Sequence, residues 1–273
     1  MSDPAQKFLF PFFLLLFICF GFWQSARFIV RANPELDAYP GLRVGWLLFT
    51  FSFSMMLYLA GRELPIARSG LFIANTANLF VFANLLGAWM VKPLKRPAEL
   101  IILCVVVALS DLFSVLKGPT RMIINDLKVY YETGMAGPAP AGDFLMIKVV
   151  VPGAADLQPV FGVSDWIILV FLSAAACRFG INDNLAGKSL STMADRNRVS
   201  FYFPVAGLGL FSAVAAALFL QVFVPVLPLV ALVYIAYILA VFPSSRKLKK
   251  SDWLLVMGVS SVMLCLLGVG YVL

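Results

Sequence analysis

Long apolar runs restrict this chain to a membrane fold. Hydrophobic residues make up 62% of its 273 positions, whereas apolar residues make up about 45–50% of soluble domains. The runs approach the ~20 residues that an α-helix needs to cross the hydrocarbon core of a bilayer. We therefore predict an all-α polytopic membrane protein with transmembrane helices at residues 8–27, 44–61, 70–91, 99–117, 159–179, 199–220, 225–242 and 252–272.

The distribution of positive charge predicts how these helices are oriented. The loops that follow the first, third, fifth and seventh spans hold 14 Lys and Arg residues, and the other side holds 7. Cytoplasmic loops carry the excess of Lys and Arg, so both termini are expected outside the cytoplasm. The basic run at 246–250 is the strongest single marker. Because the charges are confined to loops, the net charge of +7 does not indicate a nucleic-acid partner.

The composition also excludes several kinds of chemistry. The chain has no histidine, which excludes Ser-His-Asp and Cys-His catalysis and His-ligated metal sites. Its cysteines form no CxxC pair and lie in or at the ends of apolar runs, at Cys19, Cys104, Cys177 and Cys265. We therefore expect neither a metal nor a cofactor.

One linker, residues 118–158, is much longer than the others. Residues 119–131 have mixed polarity and predict a short amphipathic helix, and residues 133–142 are rich in Gly, Pro and Ala and predict a loop. Residues 144–151 predict a short β-strand before the next span, closed by Pro152-Gly153. Linkers of this length are usually functional or disordered, and a strand entering the membrane next to Asp165 favours function.

Two aspartates interrupt the apolar runs. Of the fourteen acidic residues, only Asp111 and Asp165 lie in the interior of predicted spans, whereas the others lie in linkers or, as Glu99 and Asp252 do, at the first residue of a span. A carboxylate in the interior of a span costs about 2.5–3.5 kcal/mol. Each of the two interior aspartates is six residues from the outer end of its span, or about 9 Å deep, so antiparallel neighbouring helices would hold both at one level. Facing carboxyls in such a site share a proton, which suits aspartic-protease chemistry. A proton relay or an ion site fits the same positions.

Three short motifs resemble those of a known protease family. The segments, in chain order, are Ser110-Asp111-Leu112-Phe113-Ser114-Val115 with the following Lys117-Gly118-Pro119-Thr120-Arg121, then Phe161-Gly162-Val163-Ser164-Asp165, then Val224-Pro225-Val226-Leu227-Pro228-Leu229. They are similar to the two aspartate motifs and the PAL motif of the presenilin and signal peptide peptidase family, the GxGD-type intramembrane aspartyl proteases. The resemblance covers the fourth to seventh predicted spans.

The resemblance implies a function and a set of site residues. Asp111 and Asp165 would be the catalytic pair of a divergent prokaryotic member, in the plasma membrane. It would cleave transmembrane peptides, such as signal-peptide remnants or type II anchors, with the bilayer as its environment. The sequence does not identify any accessory subunit. The residues that would bind substrate are Ile147, Val149, Gly162, Ser164, Pro225, Val226, Leu227 and Pro228.

The domain organisation predicted from these motifs is a single membrane domain, residues 1–273. It comprises an N-terminal three-helix part (1–98), a catalytic core (99–242) and an extra C-terminal helix (252–272). The chain departs from the family pattern at three positions: Ser110 replaces a tyrosine, Ser164 a glycine and Val226 an alanine. The first aspartate also lies on the fourth span, whereas the family has it on the sixth.

Three alternatives remain open. A prepilin-type peptidase also uses a GxGD aspartate, but that family expects a lysine soon after it, where this chain has Trp166-Ile167-Ile168. A proton- or ion-coupled transporter or channel would use Asp111 and Asp165 as relay acids, although no internal repeat typical of transporters is evident. The third alternative is a protease-like fold that has lost its activity.

Overall fold

Helices dominate the fold, and a helix forms within each of the eight predicted segments. The computed structural model describes residues 4–63, 68–134, 137, 139–149, 157–196, 198–220, 224–246 and 249–269. The helices are α1 (Pro4–Arg27), α2 (Asn33–Ala38), α3 (Pro40–Glu63), α4 (Arg68–Met90), α5 (Ala98–Leu116), α6 (Pro119–Glu132), α7 (Val163–Phe179), α8 (Leu190–Asp195), α9 (Val205–Leu220), α10 (Val226–Val241) and α11 (Lys250–Val269). A π-helical turn joins α1 to α2, and 3₁₀ turns cover Ala141–Leu145 and Pro243–Arg246.

Four stretches of helix within the described residues are long and apolar enough to cross a membrane. They are Pro11–Ala38, Pro40–Gly61, Ser69–Met90 and Ala98–Leu116. Three shorter apolar helices are Val205–Ala217, Val226–Val241 and Asp252–Val262. Many large apolar side chains on these helices face outward, such as Leu48, Leu232 and Leu254 at 63%, 64% and 71% exposure. Helices of this length and exposure suit a lipid environment.

Three predicted boundaries need correction. Residues 199–204, predicted as the start of the sixth span, are not helical, and α9 begins at Val205. Residues 28–38, predicted as a loop, continue the first helix through a π-turn into α2, and the chain turns only at Tyr39 and Pro40. Residues 159–162, predicted as the start of the fifth span, form strand β2 (Gln158–Gly162). They are apolar, but they pair with a second strand, and Pro159 and Gly162 are poor residues for a helix interior. Residues 150–153 and 270–272 of the predicted elements lie outside the described residues.

The two strands form a small antiparallel sheet beside α4. Strand β1 (Met146–Val149) lies within the predicted 144–151 and pairs with β2, Ile147 opposite Phe161. The buried Lys148 ammonium contacts the Asp143 carboxylate at 2.5 Å, and the Tyr131 hydroxyl donates to Asp143 at 2.6 Å. The predicted helix at 119–131 is confirmed as α6, and these contacts attach the sheet to its end.

Glycines and asparagines set the close contacts between helices. A methyl group on Gly87 of α4 would lie 2.6 Å from the Ile167 carbonyl oxygen of α7, and one on Gly209 of α9 would lie 2.4 Å from Val230 Cα of α10. The Asn78 amide of α4 donates to Thr50 O and Ser54 Oγ of α3, both at 2.7 Å. Small residues and interhelical amide bonds are the usual means of packing helices in membranes.

The Gly87 contact predicts a stability effect. We expect Gly87→Ala to lower the free energy of unfolding by about 1–3 kcal/mol, because the neighbouring atoms belong to backbone and α4 and α7 must separate. Thermal unfolding in detergent measures this. Gly70→Ala in the same helix is the matched control, since nothing lies within 4 Å of an added methyl there. Equal melting temperatures for the two variants would contradict the contact.

Candidate active site

Asp111 lies near the end of α5 and meets the start of α10. Its carboxyl accepts a hydrogen bond from the backbone N–H of Leu227. The first N–H groups of any helix lack intrahelical partners. In α10, Pro225 precedes the helix in an extended conformation, and Pro228 stands in the first turn, where its missing N–H matters least. Asp111 thus caps α10 from a different helix.

Asp165 lies in the first turn of α7. Its Oδ2 accepts a hydrogen bond from the backbone N–H of Gly162, at 3.0 Å. This is half of a capping box, because Gly162 has no side chain to return the bond. Trp166 next to it is fully buried and stacks on Phe22 and Phe161 with centroids 4.9 and 5.7 Å apart. These aromatic contacts fix the position of the helix start, and hence of the Asp165 carboxyl.

The fold brings the two aspartates within electrostatic range of each other. Helix α10 lies against both of their helices: it packs on α5 and also contacts α7, where the Tyr234 hydroxyl donates to the Leu172 carbonyl oxygen at 3.1 Å. Asp165 is buried and Asp111 is half-buried. Among the described residues, no Lys or Arg forms an ion pair with either.

The predicted depth of Asp165 needs correction, although the proximity of Asp165 to Asp111 does not depend on that depth. The prediction counted six helical residues before Asp165, but α7 begins at Val163, only two residues earlier. The chain reaches the aspartate through the extended strand β2. The level of the carboxyl is therefore set by the packing of α7 on α4 and α10, and not by the length of helix that precedes it.

The other predicted site residues form two groups: those close in sequence to Asp165 or at the start of α10, and the two strand residues Ile147 and Val149. Gly162, Pro225, Val226 and Pro228 are half-buried, Ser164 is exposed, and Leu227 is buried. A methyl group on Gly162 would lie 3.3 Å from Ser164 Oγ and 3.6 Å from Asp165 Oδ2, so Gly162 stands directly beside the carboxyl. The side chains of Ile147 and Val149 are buried in the core, so β1 presents them to the protein interior.

Asp183 is a further buried acid, which the sequence analysis assigned to a linker. Unlike the buried Asp143 and Asp252, it forms no ion pair among the described residues. Asp183 is fully buried in the segment between α7 and α8. Its Oδ2 accepts a hydrogen bond from the Tyr202 hydroxyl at 2.7 Å, and its Oδ1 has no partner within the described residues. Burial raises the pKa of Asp183 to about 7. Its sequence neighbours, Asn182 and Asn184, are polar and give no sign that it is buried.

No cluster of three metal-ligating side chains occurs in the part of the chain that the structure describes. Comparison of the chain with family models, with curated proteins and with solved structures finds no match in any of the three. The assignment of a function therefore depends on the residues and their arrangement.

Asp183 predicts a pH-dependent effect on stability. With a pKa of about 7 when folded and 3.8 as the ordinary value, it stays protonated in the folded state while the unfolded chain ionises. This destabilises the fold increasingly from about pH 4 to pH 7, by up to about 4 kcal/mol. Asp183→Asn removes the ionisation and retains an acceptor for Tyr202. Its melting temperature relative to the natural protein should rise between pH 4.5 and pH 8, and a constant difference would contradict the assignment.

Proposed function

We propose that this protein is an intramembrane aspartyl protease, in which Asp111 and Asp165 hydrolyse a peptide bond of a transmembrane substrate. The observation that carries the proposal is the convergence of the two carboxyls. They come from separate helices, lie within electrostatic range, and have no cationic partner among the described residues. Two unpaired carboxyls in a low-dielectric site hold one proton between them.

The chemistry follows from that shared proton. The ionised carboxylate removes a proton from a water molecule, whose oxygen attacks the carbonyl carbon of the peptide bond. The protonated carboxyl donates to the carbonyl oxygen, and the tetrahedral intermediate collapses as the C–N bond breaks and the nitrogen is protonated. Because Asp111 is the more exposed of the two, we assign the approach of water and substrate to its side.

Helix capping is the competing explanation for each aspartate. Asp111 accepts the Leu227 N–H, and Asp165 accepts the Gly162 N–H. A carboxylate has about four acceptor positions, so one N–H bond leaves each free to exchange a proton. Capping explains why each acid is tolerated in its helix. Capping does not explain why the two capping carboxyls lie close to each other. A shared catalytic proton would explain it.

The sheet supplies a surface for the substrate backbone. A peptide bond within a helix is inaccessible until the segment is extended, and an added strand then restores its backbone hydrogen bonds. Strand β1 is bonded to β2 on one edge, and on the other its Lys148 N–H donates to Thr76 Oγ1 at 3.2 Å. We therefore assign the substrate strand to the edge of β2 that faces away from β1. Strand β2 leads directly into Asp165.

If Asp111 and Asp165 are the catalytic pair, a conservative substitution of either one should greatly lower the cleavage rate. We expect Asp111→Asn and Asp165→Asn each to lower the cleavage rate of a fluorogenic transmembrane peptide by about 10³-fold or more, because an amide cannot exchange the catalytic proton. Purified protein in detergent is the sample. Asp126→Asn on α6, an exposed acid, is the matched control and should leave the rate unchanged.

A further variant separates catalysis from capping. Asparagine at 111 retains an acceptor for Leu227 N–H, so the melting temperature should stay near that of the natural protein, whereas Asp111→Ala should lose about 0.5–2 kcal/mol of stability. Cleavage that persists in both Asn variants would overturn the protease assignment. Proton-coupled uptake in liposomes that both variants abolish, without any cleavage, would replace it with a transporter.

The proposal includes eight membrane spans, with both termini outside the cytoplasm of a prokaryotic cell and the sheet near the outer face. This orientation favours substrates whose N-termini are cytoplasmic. Cysteine labelling tests it. In a cysteine-free background, Thr133→Cys should react with a membrane-impermeant maleimide in intact cells, and Lys188→Cys should react only after lysis. The reverse pattern would invert the orientation and the substrate preference.

A further inference from the structure

A large apolar groove lies between α1 and α4, and neither Asp111 nor Asp165 lines it. Its volume is about 1030 Å³, at the upper end of the range for small-molecule sites. From Phe13 to Arg27 its α1 wall covers about 21 Å at 1.5 Å per residue. That length exceeds the ~15 Å depth of one leaflet's hydrocarbon. Phe20 and Ile73 on opposite walls are 55% and 50% exposed, so the groove opens sideways to the bilayer.

One end of the groove is strongly basic. Arg27 and Arg31 line it at the end of α1 and in the following π-turn. The Arg27 guanidinium lies over the Trp23 ring, 4.8 Å from its centroid, which restricts its position. Within the described part of the chain neither arginine forms an ion pair. Two unpaired arginines beside apolar walls favour an anion attached to a hydrocarbon chain.

The facing wall carries an unsatisfied polar group. Asn84 of α4 lines the groove and is 7% exposed. Its Nδ2 donates to the Phe80 carbonyl oxygen at 2.7 Å, whereas its Oδ1 is buried without a partner among the described residues. A buried acceptor left unsatisfied costs about 1–3 kcal/mol. Because this oxygen is enclosed by the protein, the anion is recognised by the two arginines and not by Asn84.

We propose that the groove binds a phospholipid with an anionic headgroup. Its phosphate lies between Arg27 and Arg31, and one acyl chain runs along the aromatic wall of α1. Arginine binds phosphate oxygens through parallel N–H donors, and basic pockets between transmembrane helices are typical sites for acidic headgroups. Phosphatidylglycerol is the simplest lipid of this kind, because its headgroup is anionic and carries no cationic group. The site goes beyond the proposed protease function and does not depend on it.

Occupation of the groove would stabilise α1. Phe22 of α1 stacks on Trp166 of α7, and Gly21 approaches the same ring closely enough that an added methyl would lie 2.8 Å from it. The groove borders this contact: Gly21 also lines it, and within it Phe17 of α1 already meets Phe80 of α4 edge-to-face, with ring centroids 5.4 Å apart. A lipid that fills the groove adds contacts with both α1 and α4, so binding should raise the melting temperature.

The first experiment tests the anion. Full-length protein in detergent is titrated with phosphatidylglycerol and with phosphatidylcholine, and binding is followed by native mass spectrometry and by melting temperature. We expect phosphatidylglycerol to bind at least about tenfold more tightly, and Arg27→Gln with Arg31→Gln to remove that preference. Lys95→Gln, an exposed charge outside the groove, is the matched control and should preserve it. Equal binding of both lipids, or an unchanged preference in the double variant, would overturn the proposal.

A second variant tests the acyl-chain part of the site. Ala77 lines the groove and is exposed, so Ala77→Phe fills the space without altering the core. It should weaken phosphatidylglycerol binding about tenfold or more, while Leu48→Phe on the outer face of α3 should not. Inorganic phosphate should fail to displace the lipid. Displacement by phosphate alone, or by the transmembrane peptide used for cleavage, would show an anion site or a peptide site in place of a lipid site.

Discussion

The unsatisfied N–H groups at the start of α10 are the constraint on which the arrangement of the site depends. A helix that begins within packed protein needs hydrogen-bond acceptors for its first N–H groups from neighbouring residues. The segment Val224-Pro225-Val226-Leu227-Pro228 reduces the need, since Pro228 has no N–H to satisfy. The Leu227 N–H is satisfied by Asp111 from α5. This bond fixes α5 against α10 and holds Asp111 on the side of α10 where Asp165 lies.

Close helix contacts complete the arrangement. Helix α10 approaches α9 at Gly209 and is bonded to α7 through Tyr234 and Leu172, while α7 approaches α4 at Gly87. Each contact requires a small residue or a paired polar group, because lipid gives helices little hydrophobic reason to associate. Helices α4, α7, α10 and α5 thus form a continuous series of contacts. Asp165 lies on α7 and Asp111 lies on α5. The proximity of the two aspartates therefore depends on these helix contacts as well as on the hydrogen bond between Asp111 and Leu227.

Much of the fold could be predicted from local sequence. Two particular segments show where prediction from local sequence fails. The apolar runs located helices, and the mixed polarity of residues 119–131 located α6. Residues 159–162 were assigned to a helix, but they belong to a strand because residues 146–149 lie beside them. Asp183 was assigned to a solvated linker, but Tyr202 and the surrounding chain bury it. In each case the deciding partner lies outside the segment itself, so the pattern of that segment alone does not reveal it.

The sequence by itself determined which segments are apolar, where the charges lie, and that Asp111 and Asp165 stand among hydrophobic residues. These are properties of composition and order, and burial of a carboxylate carries its free-energy cost in any fold. Only the tertiary structure decided that Asp111 meets the Leu227 N–H, that Asp165 lies in the first turn of α7, and that the two carboxyls interact. It also decided that Arg27 and Arg31 flank an open apolar groove. The physical reason is that hydrogen bonds and electrostatic interactions depend on distances of a few ångströms, which helix packing sets and local sequence does not.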